Sequence, residues 1–233
     1  MKTIGLIGGM SWESTATYYR LINEGIKKFY GGFHSAKILL YSVDFAEIEK
    51  LQVAGKWEEA GQLLSDAACR LERAGADCMM ICTNTMHKVA DQVASSIRIP
   101  LLHIADATAE RIVKDGVKTV GLLGTSFTME QEFYRGRLES RYGLQVVIPD
   151  ETERTFVHDV IFNELCLGQI KENSRLEYRR IAENLSRRGA EAIILGCTEI
   201  SLLLRSKDSD LTLYDTTALH AERGVREIVA EKQ

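Results

Sequence analysis

The chain runs through one pattern twice. "KTIGLIGGMSW", residues 2–12, lies over "KTVGLLGTSFT", residues 118–128, with Ile4 on Val120, Gly5 on Gly121 and Gly8 on Gly124. Further on, "LERAGADCMMICTNT" lies over "LSRRGAEAIILGCTE", with Gly75 on Gly189, Ala76 on Ala190 and Asp77 on Glu191. The first match is offset by 116 residues and the second by 114. Two independent matches at nearly one spacing predict two similar lobes related by a pseudo-twofold, with the active site in the cleft between them.

Each pass alternates between the two periodicities of regular structure. "KTIGLIGG" is a short apolar run closed by glycines, as a buried parallel strand requires. Ser11 is placed to cap a helix beginning near Trp12, with Glu13 in its first turn. "SAKILLYSVD" reads as a strand, "WEEAGQLLSDAACRLERAG" as an amphipathic helix stopped by Gly75, and "ADCMMICT" as the next strand. "NTMHKVADQVASS" then reads as a helix and "PLLHIAD" as a strand. The fold class is α/β, with parallel-type sheets flanked by helices. The expected first lobe is residues 1–100 plus 213–233, and the second is 101–212. The tail "HAERGVREIVAEK" follows the strand "LTLYDTT" and has no evident counterpart closing the first pass, so it is expected to cross back onto the first lobe.

Bulk properties exclude several partners. A net charge of −4 over 233 residues gives no reason to expect nucleic acid or an anionic membrane surface. No stretch approaches the roughly eighteen apolar residues of a membrane span. Five cysteines, at 69, 78, 82, 166 and 197, form an odd set with neither a disulfide framework nor zinc spacing, which fits a reduced, cytoplasmic protein. Gly5, Gly8 and Gly9 do not make a dinucleotide fingerprint.

The repeat also sorts the thiols. At the 114-residue offset Gly196 falls on Cys82 and Cys197 on Thr83. Side chains alternate faces along a strand, so Cys82 and Thr83 point opposite ways. If Cys197 faces a ligand, its partner position is Thr83, and Cys82 belongs to the packing. His87, one turn further on, is expected to support the site or lie at the surface rather than exchange protons.

Strand ends are where open parallel sheets bind ligands. Thr83-Asn84-Thr85 and Cys197-Thr198-Glu199 lie at such ends, as do Gly8-Gly9-Met10-Ser11 and Gly124-Thr125-Ser126. Together they supply hydroxyl, amide and backbone N–H donors around one thiol, which suits a small carboxylate ligand. A cysteine whose pKa is lowered by a helix N-terminus could remove an α-proton, while a threonine hydroxyl holds or passes one on.

"IGLIGGMS", "NTMH", the "LLGT" that carries Thr125 with Thr128 beyond it, and above all "GCTE" resemble the aspartate/glutamate racemase family along essentially the whole chain. The resemblance implies a pyridoxal-independent amino-acid racemase with no cofactor. Cys197 corresponds to the family's second-site cysteine, which takes the proton from the L-enantiomer. The usual first site reads Cys-Asn-Thr, and the position of its thiol is Thr83 here. Glu199, two residues after Cys197, resembles the aspartate branch. The implied substrate contacts are Met10, Asn84, Thr85, Thr125, Thr128, Thr198 and Glu199, with Gln52 in the region where relatives hold a second carboxylate. The loop around Glu164 to Gly168 offers no lysine for that purpose. Relatives are often dimers, so a homodimer stays open. Two other functions also stay open: a one-cysteine decarboxylase of a malonate-type acid, and an amino-acid-binding protein with weak or no catalysis.

Overall fold

The computed structural model describes residues 1–205 and 211–229. The chain divides into two compact units, one comprising Met1–Ile104 with the described residues from His220 on, the other Ala105–Leu219.

In the first unit β1 (Thr3–Gly8), α1 (Trp12–Tyr30), β2 (Lys37–Ser42), α2 (Phe45–Val53), α3 (Trp57–Arg73), β3 (Cys78–Ile81), α4 (Ala90–Ser95) and β4 (Leu101–Leu102) follow in order. Their strands form a parallel sheet ordered β2-β1-β3-β4. α5 (Ile104–Lys114) leads into the second unit, where β5 (Thr119–Gly124), α6 (Ser126–Glu130), α7 (Arg135–Tyr142), β6 (Gln145–Val147), α8 (Glu151–Asn163), α9 (Glu172–Arg187), β7 (Ala192–Gly196), α10 (Ile200–Leu203) and β8 (Thr212–Asp215) follow. That sheet is parallel and ordered β6-β5-β7-β8, the same topology. α11 (Thr216–Val229) then carries the chain back into the first unit.

The repeat holds at the level of single bonds. Ile4 pairs with Cys78 as Val120 pairs with Ala192. Gly75 and Gly189 end the preceding helices at φ +99° and +98°, a conformation only glycine adopts without strain. Asp77 accepts from the N–H of Thr3 at 2.7 Å, and Glu191 from that of Thr119 at 2.8 Å. In each unit an acidic residue therefore pins the start of the first strand to the start of the third.

β3 shows how two buried faces are made from one strand. Met79 and Ile81 pack with α3 residues Leu64, Ala68 and Leu71. Cys78, Met80 and Cys82 face the other way, onto Tyr18, Ile22 and Ile26 of α1 and Ala221 and Ile228 of α11. The tail helix does pack on the first sheet: Lys2 N–H donates to Ile228 O at 3.0 Å, and a Cβ on Gly224 would stand 2.7 Å from Met80 Sδ.

Three sequence expectations need correction. The tail does have a counterpart, because α5 follows β4 as α11 follows β8, and each helix starts in one unit and runs on in the other. "PLLHIAD" is a strand only at Leu101–Leu102; from Ile104 the buried positions Ile104, Ala105, Thr108 and Ile112 recur with helical spacing, and the helix begins there. The helix read from Asn84 opens as a single 3-10 stretch, Thr85–Val89, before α4.

Candidate functional site

In the first unit two turns meet at the carboxyl ends of β1 and β3. The turn after β1 bends at Gly9, φ +95°, whose N–H donates to Thr15 Oγ1 at 2.8 Å. Ser11 caps α1 by accepting from Ser14 N–H at 3.3 Å. The Ser14 hydroxyl donates to the Cys82 carbonyl at 3.2 Å, which ties this turn to the end of β3. Met10 is buried in the apolar cluster on the α3 side.

Past β3, Cys82 lies in the core, and burial alone pushes its thiol far above the usual range. Thr83 is half-buried at the strand end, while Asn84 and Thr85 are buried beyond it. Gln52, buried on α2, donates its amide to Met86 Sδ at 3.0 Å. His87 is buried rather than at the surface, with Nδ1 2.7 Å from the Thr83 carbonyl.

The second unit builds its own set. Thr125 caps α6, accepting from Thr128 N–H at 3.3 Å, and the two hydroxyls lie 3.2 Å apart. Gly124 pairs with Gly196, and Thr128 covers both; a Cβ on Gly196 would stand 2.9 Å from Leu123 O, leaving no room for a side chain. Cys197 follows, half-buried, and its Sγ donates to Glu199 Oε2 at 3.0 Å. Thr198 accepts from the Thr217 hydroxyl at 3.2 Å. Glu199 itself is buried.

The expected lowering of the Cys197 pKa is wrong in sign. Burial pushes this thiol well above its ordinary range, and the Glu199 carboxylate pushes it further; the Glu199 N–H pulls the other way and is outweighed. The helix behind it, α10, is a single turn of four residues, too short to supply much dipole. Cys166 is close enough to add to the same upward push. Tyr178, another neighbour, is buried and donates to Val157 O at 2.9 Å.

Ser14 escaped the sequence reading, and Ser11 was read as a cap and a turn residue but not matched to the second pass. They are the counterparts of Thr125 and Thr128 at the 114-residue offset, with the same cap bond at the same 3.3 Å. The signal was the change of offset from 116 to 114 inside this turn, because Gly9 and Met10 are two extra residues that displace the match. Among the described residues no group of three or more His, Cys, Asp or Glu side chains could hold a metal ion, and no helix is long and apolar enough to cross a membrane.

Sequence and structure comparisons agree on kinship. Residues 7–224 match the profile of the Asp/Glu/hydantoin racemase family. The broad specificity amino-acid racemase RacX of Bacillus subtilis (strain 168) is 24% identical over 235 residues, covering 97% of this chain and 98% of its own. A crystal structure of a candidate Asp/Glu racemase from Yersinia pestis is 54% identical with a TM-score of 0.94, over 99% of this chain and 100% of that one. An aspartate racemase homologue from Pyrococcus horikoshii OT3 is 36% identical with a TM-score of 0.85, over the same shares. The chain belongs to the Asp/Glu/hydantoin racemase family of isomerases.

Proposed function

We propose that the protein racemises acidic amino acids, aspartate or glutamate, without a cofactor, with Cys197 taking the α-proton from the L-enantiomer and Thr83 on the opposite face. The observation that carries this reading is the sorting of the thiols. Cys197 stands at a strand end with its Sγ on a carboxylate, whereas Cys82 is shut in the core and leaves a hydroxyl at the matching position. The backbone and hydroxyl donors of the strand-end turns hold the substrate carboxylate as it becomes enediolate-like, and they are aimed before the reaction starts.

Cys197 must lose its proton before it can act, and Glu199 Oε2 is the acceptor in reach. The incoming substrate ammonium offsets the negative charge that keeps the sulfur protonated. The thiolate then takes the α-proton, and the C–H electrons pass into the carboxylate. Return of a proton from the same sulfur regenerates L, and delivery from the Thr83 side gives D. A threonine hydroxyl can relay a proton but is a poor acid, so the second step limits inversion. Enantiomers have equal free energies, so a weak D side must slow both directions together.

Proton NMR in deuterium oxide tests this. The expected result is exchange of the L-substrate α-proton faster than D-enantiomer appears. Equal rates of exchange and inversion would sink the assignment of Thr83. Carbon dioxide release from a malonate-type acid, or ligand binding unaffected by Cys197→Ala with no turnover, would replace it with the decarboxylase or the binding protein.

A further inference from the structure

A cluster of buried histidines in the first unit takes no part in the chemistry above. His87, His103 and His220 are all buried; the His87 ring lies 4.5 Å from that of His103 and 5.7 Å from that of His220. His87 Nε2 accepts from the backbone N–H of Ile104 at 3.2 Å. A ring nitrogen that accepts from a backbone N–H carries no proton, so the neutral ring holds its hydrogen on Nδ1 and donates it to the Thr83 carbonyl. One imidazole thus bridges the end of the Thr83 turn and the first residue of α5.

The second unit holds its strand-end turn with other residues. At the 114-residue offset Ser201 stands for His87 and Ala218 for Ile104. The Ser201 hydroxyl donates to the Thr198 carbonyl at 2.8 Å. Asp215 Oδ1 accepts from the N–H groups of Thr217 and Ala218 at 2.9 and 3.1 Å. In both halves a side chain placed just past the strand end holds a carbonyl of its turn, and the His87 ring also reaches the first residue of α5, on which the chain passes into the other unit.

We infer that His87 and Ser201 are positioning residues, His87 fixing the backbone of Thr83 by bracing it against the first residue of α5, and Ser201 fixing that of the Cys197-Thr198 turn by holding the Thr198 carbonyl. The inference rests on the racemase reading. Reaction rates fall steeply with small misplacements of reacting groups, so a loosened brace lowers the step served by its own turn. Loosening the His87 brace hampers only the Thr83 side. Loosening the Ser201 brace hampers the thiol, on which exchange and inversion both depend.

The test compares His87→Asn, His87→Gln and Ser201→Ala by deuterium exchange into L-substrate and by D-enantiomer formation. The shorter amide of His87→Asn replaces the donor to Thr83 and loses the acceptor for Ile104, and the longer amide of His87→Gln does the reverse. Both His87 variants are expected to keep L-side exchange within about threefold of wild type while D formation falls about tenfold or more. Ser201→Ala is expected to lower both rates by one common factor. The inference is overturned if the His87 variants lose both rates equally or neither, or if Ser201→Ala changes only inversion or nothing. If the His87 variants do not fold, Ser201→Ala decides alone. An absence of exchange in the wild type would instead remove the racemase reading itself.

Discussion

Cys197 Sγ donates to Glu199 Oε2 at 3.0 Å, so the thiol of the second unit rests against a buried negative charge. Burial and that charge both favour the protonated sulfur. Replacing Glu199 by Gln removes the charge, so the thiol pKa must fall. The expected outcome is that alkylation of Cys197, followed by peptide mapping against pH, turns on at lower pH in Glu199→Gln than in wild type. Racemisation at neutral pH nevertheless declines, because the proton acceptor is gone. An unmoved or rising alkylation midpoint would exclude this role for the carboxylate.

Thr83→Cys places a thiol where a hydroxyl stands. It should accelerate L-to-D and D-to-L conversion by one common factor, roughly 100-fold or more, the scale of a positioned acid/base group. The ratio of exchange to inversion should approach one. Chiral chromatography of both reactions gives the answer, and acceleration in one direction alone is forbidden by the equal free energies of the enantiomers.

His220 sets an acid limit on stability. Burial first, then the neighbouring His87, pushes its pKa from 6.5 down to about 3, against the pull of the Leu102 carbonyl. Its Nε2 lies 2.8 Å from that carbonyl and its Nδ1 2.8 Å from the Tyr18 hydroxyl. The unfolded chain takes up this proton below about pH 6.5, while the folded one resists until about 3. Stability is therefore full above 6.5 and falls across that window, by about 2 kcal/mol between pH 6.5 and 5. Urea unfolding at several pH values should show His220→Gln with a shallower decline by one proton, from a lower starting stability.

Gly9 tolerates no side chain. At φ +95° an alanine is strained, and its Cβ would collide with Val43 O and stand 2.7 Å from Val43 N. Gly9→Ala should cost about 2 kcal/mol or more. The effect should appear as a lower denaturant midpoint together with reduced turnover, since this turn leads directly into Ser11 and Ser14 at the start of α1. Gly75→Ala, with nothing near its Cβ, isolates the backbone strain.

The repeat was legible because two parallel sheets of one topology need the same glycines, apolar runs and acidic pins at the same spacing. The split between Cys82 and Thr83 was legible for a related reason: strand alternation is a property of the backbone, and Cys82 lies on the α1 face with Cys78 and Met80. The match of Ser11 and Ser14 to Thr125 and Thr128 was hidden by the two extra residues of the preceding turn, which shift the register just where they lie.

The amino-acid order alone determined the α/β class, the double pass and which of Cys82 and Cys197 belongs to the packing, because local periodicity and spacing carry that information. Only the tertiary structure decided that α5 runs on into the other unit as the tail helix does, since an amphipathic stripe does not say which sheet it covers. It also decided that the Cys197 thiol is raised rather than lowered and that one buried imidazole joins Thr83 to Ile104. A pKa depends on burial and the aim of nearby charges, and a bridge between residues 83 and 104 depends on two separate segments arriving at one place.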